Sequence, residues 1–302
     1  MTVFPDIVTR RRPLPGMWSR LRGETKAFLL LSPSLLILCL LGISLGLLLV
    51  YSFFTYRQGG GMVAEFTLQN YLQLFQKRLY WKVILNTVEF SVATTGLALL
   101  LGYPLAYYLN RASSIHRTLG FLFLTVPLWT SVIVRTYGWV FILGRRGMVN
   151  ILLEWLGFGP TPLDIYPGFW AVVLALLEIT LPLTVLPIYT SLKTLDPGLE
   201  ESSLVLGASP IQTFVRVVFP LTLPGVFAGG ILTFVLVLGA YVTPVILGST
   251  RDLVLPVLIE GQITSLYNVP FAATLALVML LLMSLIIVAF RRFIRLDQLF
   301  GR

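Results

Sequence analysis

The feature that most limits the possible folds of this chain is an uncharged, mostly apolar run from Ala27 to Ser52. A helix of that length can cross the hydrocarbon core of a bilayer, which is about 30 Å thick and needs roughly 20 apolar residues. Charged residues make up 12% of the chain, whereas soluble domains carry about 25%. The sequence therefore predicts an integral membrane protein. The run is also longer than the apolar part of a signal peptide, so we expect an uncleaved first membrane helix.

Five more apolar stretches bring the expected number of transmembrane helices to six. They lie at residues 83–109, 119–143, 168–192, 222–247 and 270–290. Several of them contain proline or glycine, which membrane helices tolerate where neighbouring helices or water satisfy the freed backbone groups. We therefore expect an all-α bundle with some broken helices around a pathway.

Positively charged residues indicate how these helices are oriented. If the N-terminus is cytoplasmic, the cytoplasmic segments hold about twice as many Lys and Arg residues as the opposite side, in agreement with the positive-inside rule. This predicts that both termini and a loop at 193–219 are cytoplasmic. The chain then divides into a tail and first helix at 1–56, an extracytoplasmic segment at 57–82, a membrane core at 83–290 and a C-terminal tail at 291–302.

The extracytoplasmic segment contains a flexible glycine break at residues 59–61 and then a short amphipathic stretch. Helical spacing places Leu68, Tyr71, Leu72 and Phe75 on one face. Such a face is typical of a helix that lies in the membrane interface. A helix that packs this face on its own domain is an equally good interpretation.

A polar segment between the fourth and fifth apolar stretches has the pattern of an ordered helix. Asp196 can accept orphan backbone N–H groups, and Pro197 fits the first helical position. Glu200 and Glu201 then fall in the first turn, where the helix dipole favours negative charge. Gly207 is a natural stop because it adopts left-handed backbone angles at little steric cost.

A second helix start follows directly. Ser209 and Pro210 repeat the cap-and-proline pattern and predict a helix through Val218, which leads into the membrane near Pro220 and Pro224. A simple connection does not need two capped helices joined by a glycine elbow. We interpret the segment as a docking surface, although an ordinary loop with capped helices is the alternative.

This segment resembles the EAA loop of ABC-importer permeases, whose pattern is E-A-A-x(3)-G-x(9)-I-x-L-P. The matching positions are Glu201, Ser202, Ser203, Gly207, Val217, Phe219 and Pro220. The spacing is complete, and each substitution keeps a small residue small or an apolar residue apolar. In that family the loop sits in a groove of a cytoplasmic ATPase subunit. The resemblance implies that the ATPase-coupling residues are Glu200, Glu201, Ser202, Ser203, Gly207, Ala208 and Pro220.

The resemblance extends over about residues 67 to 290, where the chain is similar to the spermidine/putrescine-type branch of these permeases. Segments such as LGYPLAYYLNR and VPLWTSVIVRTYGWVFILGRRGMVN carry it. It implies the type I ABC importer permease fold in a bacterial inner membrane. It also implies two ATPase subunits that bind ATP and Mg, a second homologous permease in a heterodimer, and an extracytoplasmic solute-binding protein. The implied solute is a polyamine, an opine or an amino-acid derivative.

Charged side chains inside apolar helices are costly and therefore candidates for function. Glu89, Arg135 and Glu178 are of this kind. Glu178 could contact a cationic solute in transit, or it could pair with Arg135 or with backbone groups freed by nearby proline residues. Arg111 and Arg117, beyond the second stretch, are interpreted as orientation signals.

Aromatic residues near the ends of the spans are a second set of candidates for the substrate path. Trp129 and Tyr241, together with Tyr137 and Trp139, could stack on an ammonium group. Aromatic side chains at such positions are also common as anchors at the membrane interface.

Other functional classes fit the residues less well. The chain contains no G-x-x-x-x-G-K-[ST] sequence, so ATP hydrolysis is assigned to a partner chain. One histidine and one cysteine do not support a metal site or a catalytic triad, and scattered arginines do not support nucleic-acid binding. An ion-gradient-driven secondary transporter that uses Glu89 and Glu178 is the alternative function, but it leaves the EAA spacing unexplained.

Overall fold

The structure is a computed structural model that describes residues 17–57, 59, 61–158 and 163–300, with side chains described between Leu31 and Ala289. The basic side chains of both tails, from which the orientation was predicted, lie outside this described set. The chain forms two compact units, Met1–Val50 and Tyr51–Arg302. Helix α1, Met17–Ser52, makes up the described part of the first unit and ends two residues into the second.

Among the described residues, five helices are long and apolar enough to cross a membrane, and a bent helix pair raises the number to six if it counts as one span. The five are Leu31–Ser52, Arg78–Arg111, Phe169–Lys193, Pro210–Leu238 and Val269–Ala289. The first, second, fourth and sixth predicted stretches therefore correspond to single helices.

Three long helices form the core of the second unit. They are α3, Arg78–Arg111; α7, Phe169–Lys193; and α10, Phe219–Leu238. Glycine allows α10 to approach α7 closely, because a Cβ atom at Gly229 would lie 2.8 Å from the backbone oxygen of Thr184. Small residues at helix contacts are the usual solution in membranes, where dispersion and backbone proximity hold helices together.

The third predicted stretch forms a broken helix, in agreement with the expectation that proline interrupts some of the helices. Helix α4, Ser114–Thr125, passes into a 3₁₀ turn, Val126–Trp129, and the chain then restarts as α5, Val132–Leu143. Pro127 lacks the N–H that would continue the helix, and Thr130 is extended. The α4 part and the part formed by α5 and α6, Met148–Trp155, meet at 105°. The stretch is either a broken span or a re-entrant loop.

The fifth predicted stretch also has different bounds. Helix α10 ends at Leu238, and a break at residues 239–240 separates it from the short helix α11, Val242–Leu247. Pro244 cannot donate to the carbonyl four residues earlier, so a continuous helix would leave that group unpaired. The break agrees with the expectation of interrupted helices in stretches that contain proline and glycine.

The segment between the first and second predicted stretches contains the one β-hairpin of the described chain, which the all-α prediction did not include. Strands β1, Phe54–Arg57, and β2, Gly61–Phe66, pair antiparallel. Both described glycines of the turn, Gly59 and Gly61, have positive φ. These backbone angles favour glycine and explain why the predicted break forms a tight turn.

Helix α2, Gln69–Gln76, follows the hairpin and packs on the second unit through one face. Asn70 and Leu74 are buried, and the Asn70 amide donates to the backbone oxygens of Ser52 and Phe54 at 2.8 and 2.9 Å. Leu72 and Phe75, on the predicted apolar face, are exposed. Tyr71, also on that face, is partly buried, and its hydroxyl lies 2.8 Å from the Ser52 hydroxyl. The helix therefore packs mainly through its other face and leaves Leu72 and Phe75 uncovered.

The remaining helices and the hairpin pack on the core of the second unit. Helix α12, Leu255–Thr264, packs against α13, Val269–Phe300, and both contact α3 or α10. The Tyr56 hydroxyl of the hairpin donates to the Leu266 carbonyl at 2.7 Å.

Candidate functional site

The polar segment between the fourth and fifth predicted stretches begins with helix α8, Pro197–Val205, as the sequence predicts. The Asp196 carboxylate accepts a hydrogen bond from the Gly198 N–H at 2.9 Å, which confirms the predicted N-cap. Gly207 has φ +88°, and its N–H donates to the Leu204 carbonyl at 3.0 Å. The Ala208 N–H donates to the Ser203 carbonyl at 3.2 Å. This pattern is a glycine C-cap, so the predicted stop is confirmed.

The second start is equally well defined. The Ser209 hydroxyl accepts from the Gln212 N–H at 3.3 Å, and the Gln212 side-chain oxygen accepts from the Ser209 N–H at 3.0 Å. These two bonds form a capping box at the start of α9, Pro210–Thr213. The elbow between the helices is closed by a 2.9 Å hydrogen bond between the hydroxyls of Ser203 and Thr213.

The second helix runs through Val218, as the sequence predicts, and it continues beyond that residue. A π-helical turn, Phe214–Val218, follows α9 and leads without interruption into α10. The whole segment Pro210–Leu238 is 29 residues long and apolar enough to cross the membrane. Single π-turns inside helices are frequent at functional sites. The elbow is therefore joined to the membrane core by one continuous helical rod.

The outer surface of the elbow is apolar although the segment as a whole is polar. Val205, Leu206 and Ile211 are 87%, 86% and 76% exposed, respectively. Exposed apolar side chains grouped in this way typically mark a protein or membrane contact. Glu201 and Ser202, the first two positions of the EAA pattern, are exposed on the same element.

The two adjacent glutamates of α8 have different surroundings. Glu201 is exposed, whereas the Glu200 side chain is only 31% exposed and forms an ion pair with Arg111 at the end of α3. Sequence reasoning missed this contact, because Arg111 was interpreted as an orientation signal. The other predicted coupling residues include Ser203 and Ala208, which are partly buried at the elbow, and Pro220, which is exposed in the first turn of α10.

The charged residues predicted to lie in the substrate path occupy separate positions. Glu178 is partly buried on α7, where its carboxylate accepts a 2.6 Å hydrogen bond from the indole N–H of Trp139 on α5. Arg135 donates to the Pro127 carbonyl at 2.7 Å, at the bend between α4 and α5. The ion pairs among the described side chains do not include one between Arg135 and Glu178. The sequence left two structural partners open for Arg135, namely Glu178 or a freed backbone group. The geometry corresponds to the second, because the partner is a backbone carbonyl at a proline bend.

The other three candidates for the path lie at the surface of the single chain. Glu89 is exposed on α3, and Trp129 is 87% exposed at the end of the 3₁₀ turn. Tyr241 is 36% exposed at the N-cap of α11. The structure therefore brings Glu178 together with Trp139, an aromatic residue that sequence analysis named for stacking, and leaves these three apart from that pair.

Comparisons with known proteins agree with this geometry. The family described as "Binding-protein-dependent transport system inner membrane component" matches residues 95–296. The chain is 34% identical over 245 residues to the spermidine/putrescine transport system permease protein PotB of Escherichia coli strain K12, which covers 81% of this chain and 89% of PotB. It is also 34% identical to the inner membrane ABC transporter permease protein YdcU of the same strain, over 78% of each chain.

Among solved structures, a chain from a bacterial alginate ABC transporter, in complex with a periplasmic protein bound to alginate pentasaccharide, has a similar fold. The TM-score is 0.71 at 18% identity, and the match covers 91% of this chain and 95% of that chain. At this identity the likeness indicates a shared fold, the type I ABC importer permease fold. None of these matches supports an ion-gradient-driven carrier. The protein is therefore a multi-pass inner-membrane permease and belongs to the family of inner membrane components of binding-protein-dependent ABC transport systems.

Proposed function

We propose that this permease moves a small amine-type cation, of the polyamine class, and couples its passage to ATP hydrolysis through the segment 193–219. The observation that carries the proposal is the doubly capped elbow, with complete EAA spacing and an exposed apolar face. The polyamine assignment is supported by the 34% identity to a spermidine/putrescine permease over most of both chains. An opine or an amino-acid derivative is the alternative amine-type solute, and it is tested by the same assay with that compound as the labelled solute.

Coupling is proposed to begin where α8 meets the ATPase. The exposed apolar side chains of α8 and the elbow would seat in an apolar groove of that subunit, with Glu201, Ser202 and Pro220 at its edge. Closure of the ATPase pair on ATP then moves α8. Since α9, the π-turn and α10 form one helical rod, displacement of the elbow passes directly into the membrane core.

The proposal includes the orientation and the assembly predicted from the sequence. An ATPase in the cytoplasm requires the 193–219 segment to lie there, which gives cytoplasmic termini, an extracytoplasmic segment at 57–82 and a permease core at 83–290. A permease of this family works with ATPase subunits and an extracytoplasmic binding protein. We propose further that a second, different permease completes the pathway.

The polar contacts available to a cationic solute are proposed to start at Glu178. A carboxylate can accept about four hydrogen bonds, and the bond from Trp139 uses only one of its oxygen atoms. The charge therefore remains available to an ammonium group. Glu89, Trp129, Arg135 and Tyr241 are proposed to line other parts of the path in the assembled transporter, because their side chains are exposed or partly exposed on the single chain.

The test is uptake of labelled spermidine and putrescine by proteoliposomes that contain this chain with its ATPase, partner permease and binding protein. We expect uptake that requires ATP and persists when a proton uncoupler is added. The Glu201→Lys variant should insert normally but transport poorly, because it places a cation at the exposed edge of the docking face. Uptake that stops with the uncoupler and ignores ATP, or normal uptake by Glu201→Lys, would contradict the coupling proposal.

A further inference from the structure

The cytoplasmic end of α3 carries three polar or aromatic side chains on one face. Tyr103, Tyr107 and Arg111 are spaced at four-residue intervals, so they follow one another along one side of the helix. Sequence analysis assigned no role to the two tyrosines and interpreted Arg111 as an orientation signal. All three contact the coupling segment 193–219, and together their contacts extend from α8 to the start of α10.

Arg111 makes the outermost of these contacts. One guanidinium nitrogen donates to the Glu200 carboxylate of α8, and the guanidinium lies over the Tyr107 ring at 4.2 Å from its centroid. Arginine is suited to this arrangement, because its planar group can stack on an aromatic face and bind a carboxylate at the same time. The side chain thus joins α8 to α3 and is held in place by its own helix.

The two tyrosines contact the next parts of the segment in order. The Tyr107 ring packs edge-on against Phe214 of the π-turn, with ring centroids 5.4 Å apart. Tyr103 packs against Phe214 and also against Phe219, the first residue of α10, with centroids 5.7 and 5.4 Å apart. Its hydroxyl is 2.8 Å from the Thr222 hydroxyl. One face of α3 therefore contacts the coupling helix, the π-turn and the membrane helix in succession.

The contact is a packed joint rather than a ligand site. The cleft that Tyr107, Arg111 and Glu200 share with Thr213 and Phe214 has a volume of about 80 Å³. Sites for small-molecule ligands have volumes of about 300 to 1,000 Å³. The cleft is therefore too small to be a binding site for a solute of the proposed class.

We propose that Arg111 is a positioning residue that locks α8 to the end of α3, so that movement of the coupling helix drives α3 together with α10. The inference rests on the proposed coupling function. Without the lock, α8 is joined to the core only at its two ends, by the short connection from α7 and by the elbow at Gly207, and part of its movement is lost by pivoting about these ends. The lock divides the two glutamates by role: Glu200 faces the permease and Glu201 faces the ATPase.

The test is a charge-swap series in the assembled, reconstituted transporter. Arg111→Glu and Glu200→Arg should each lower uptake by about tenfold, because reversal removes an attraction and introduces a repulsion. The double variant Arg111→Glu with Glu200→Arg should recover most of the uptake. Arg145→Glu is the matched control, because it breaks an ion pair with Asp164 whose side chains are 74% and 68% exposed, and it should transport like the wild type.

The decisive readout is the number of ATP molecules hydrolysed per solute imported by intact complexes. We expect the single variants to retain the ATPase and hydrolyse ATP while importing less solute, so this ratio rises, and we expect the double variant to restore it. If a charge reversal prevents accumulation, Arg111→Lys, which keeps the charge but loses the stacking, should raise the same ratio to a smaller extent. An unchanged ratio in every variant, or a double variant no better than the singles, would overturn the lock but leave the proposed function intact. A wild-type complex without ATP-dependent uptake would overturn both.

Discussion

Glu178 is a carboxylate inside an apolar helix, where placing a charged group costs free energy. Its environment has to offset that cost. An acidic side chain at the centre of a membrane helix costs about 3 kcal/mol on insertion scales. A hydrogen bond to a charged group contributes about 1.5 to 3 kcal/mol, so the bond from Trp139 can offset much of the cost. The same bond fixes the orientation of the carboxylate. A fixed, partly satisfied carboxylate is well suited to bind a cation weakly and release it.

We expect Glu178→Gln to lower polyamine uptake by about tenfold at low solute concentration, a loss of roughly 1.4 kcal/mol. The amide oxygen of glutamine can still accept from Trp139, so the variant removes the charge and keeps the hydrogen bond. Initial uptake rates measured over a range of solute concentrations check this. Glu154→Gln, the same change at an exposed position of α6, is the control. Equal uptake by Glu178→Gln and the wild type would assign Glu178 a structural role.

At the residue scale, sequence reasoning succeeded where partners are close in the chain. The caps at Asp196 and Ser209 depend on backbone groups two or three residues away, so the local pattern contains all the information. The pair of Arg111 and Glu200 joins residues 89 positions apart. A single sequence gives no measure of that proximity, and the regular spacing of Tyr103, Tyr107 and Arg111 was the only available signal.

At the element scale, the elbow depends on a backbone conformation that few residues adopt. We expect Gly207→Pro to abolish uptake in a chain that still inserts, because proline fixes φ near −65°, whereas Gly207 has φ +88° and donates its N–H to Leu204. Gly207→Asn is the matched control, since asparagine tolerates positive φ better than other residues with side chains, and it should retain most of the uptake. Uptake per inserted complex is the measurement. Full activity of the proline variant would mean that the elbow geometry is not needed for coupling.

The elements predicted less well are those in which a chain break lies inside an apolar stretch. Hydropathy measures composition, and it does not report the direction of the chain. Pro127 and the break at residues 239–240 were visible in the sequence, but proline and glycine also occur within the continuous helices α3 and α7. Whether such a residue bends a helix depends on the neighbouring packing, which the sequence alone does not give.

At the scale of the whole molecule, each chain offers one coupling segment. In the proposed assembly an ATPase pair presents two grooves, so we expect a second permease to fill the other groove. The exposed Trp129 and Glu89 also need a neighbour if they are to line a pathway. These two requirements are met together when two permeases face each other across the path.

We therefore expect native mass spectrometry of the gently extracted complex to give the mass of one copy of this chain, one different permease and two ATPase subunits. The same chain expressed with the ATPase alone should give no ATP-dependent uptake, because one groove remains empty and the path lacks one wall. Co-expression of the partner permease should restore uptake, and this comparison serves as the internal control. A mass that corresponds to two copies of this chain, with full transport, would instead establish a homodimer. In that case Glu178 of both copies would face the path, and Glu178→Gln would remove two charges instead of one. Uptake should then fall further than it would in a heterodimer with one substituted subunit.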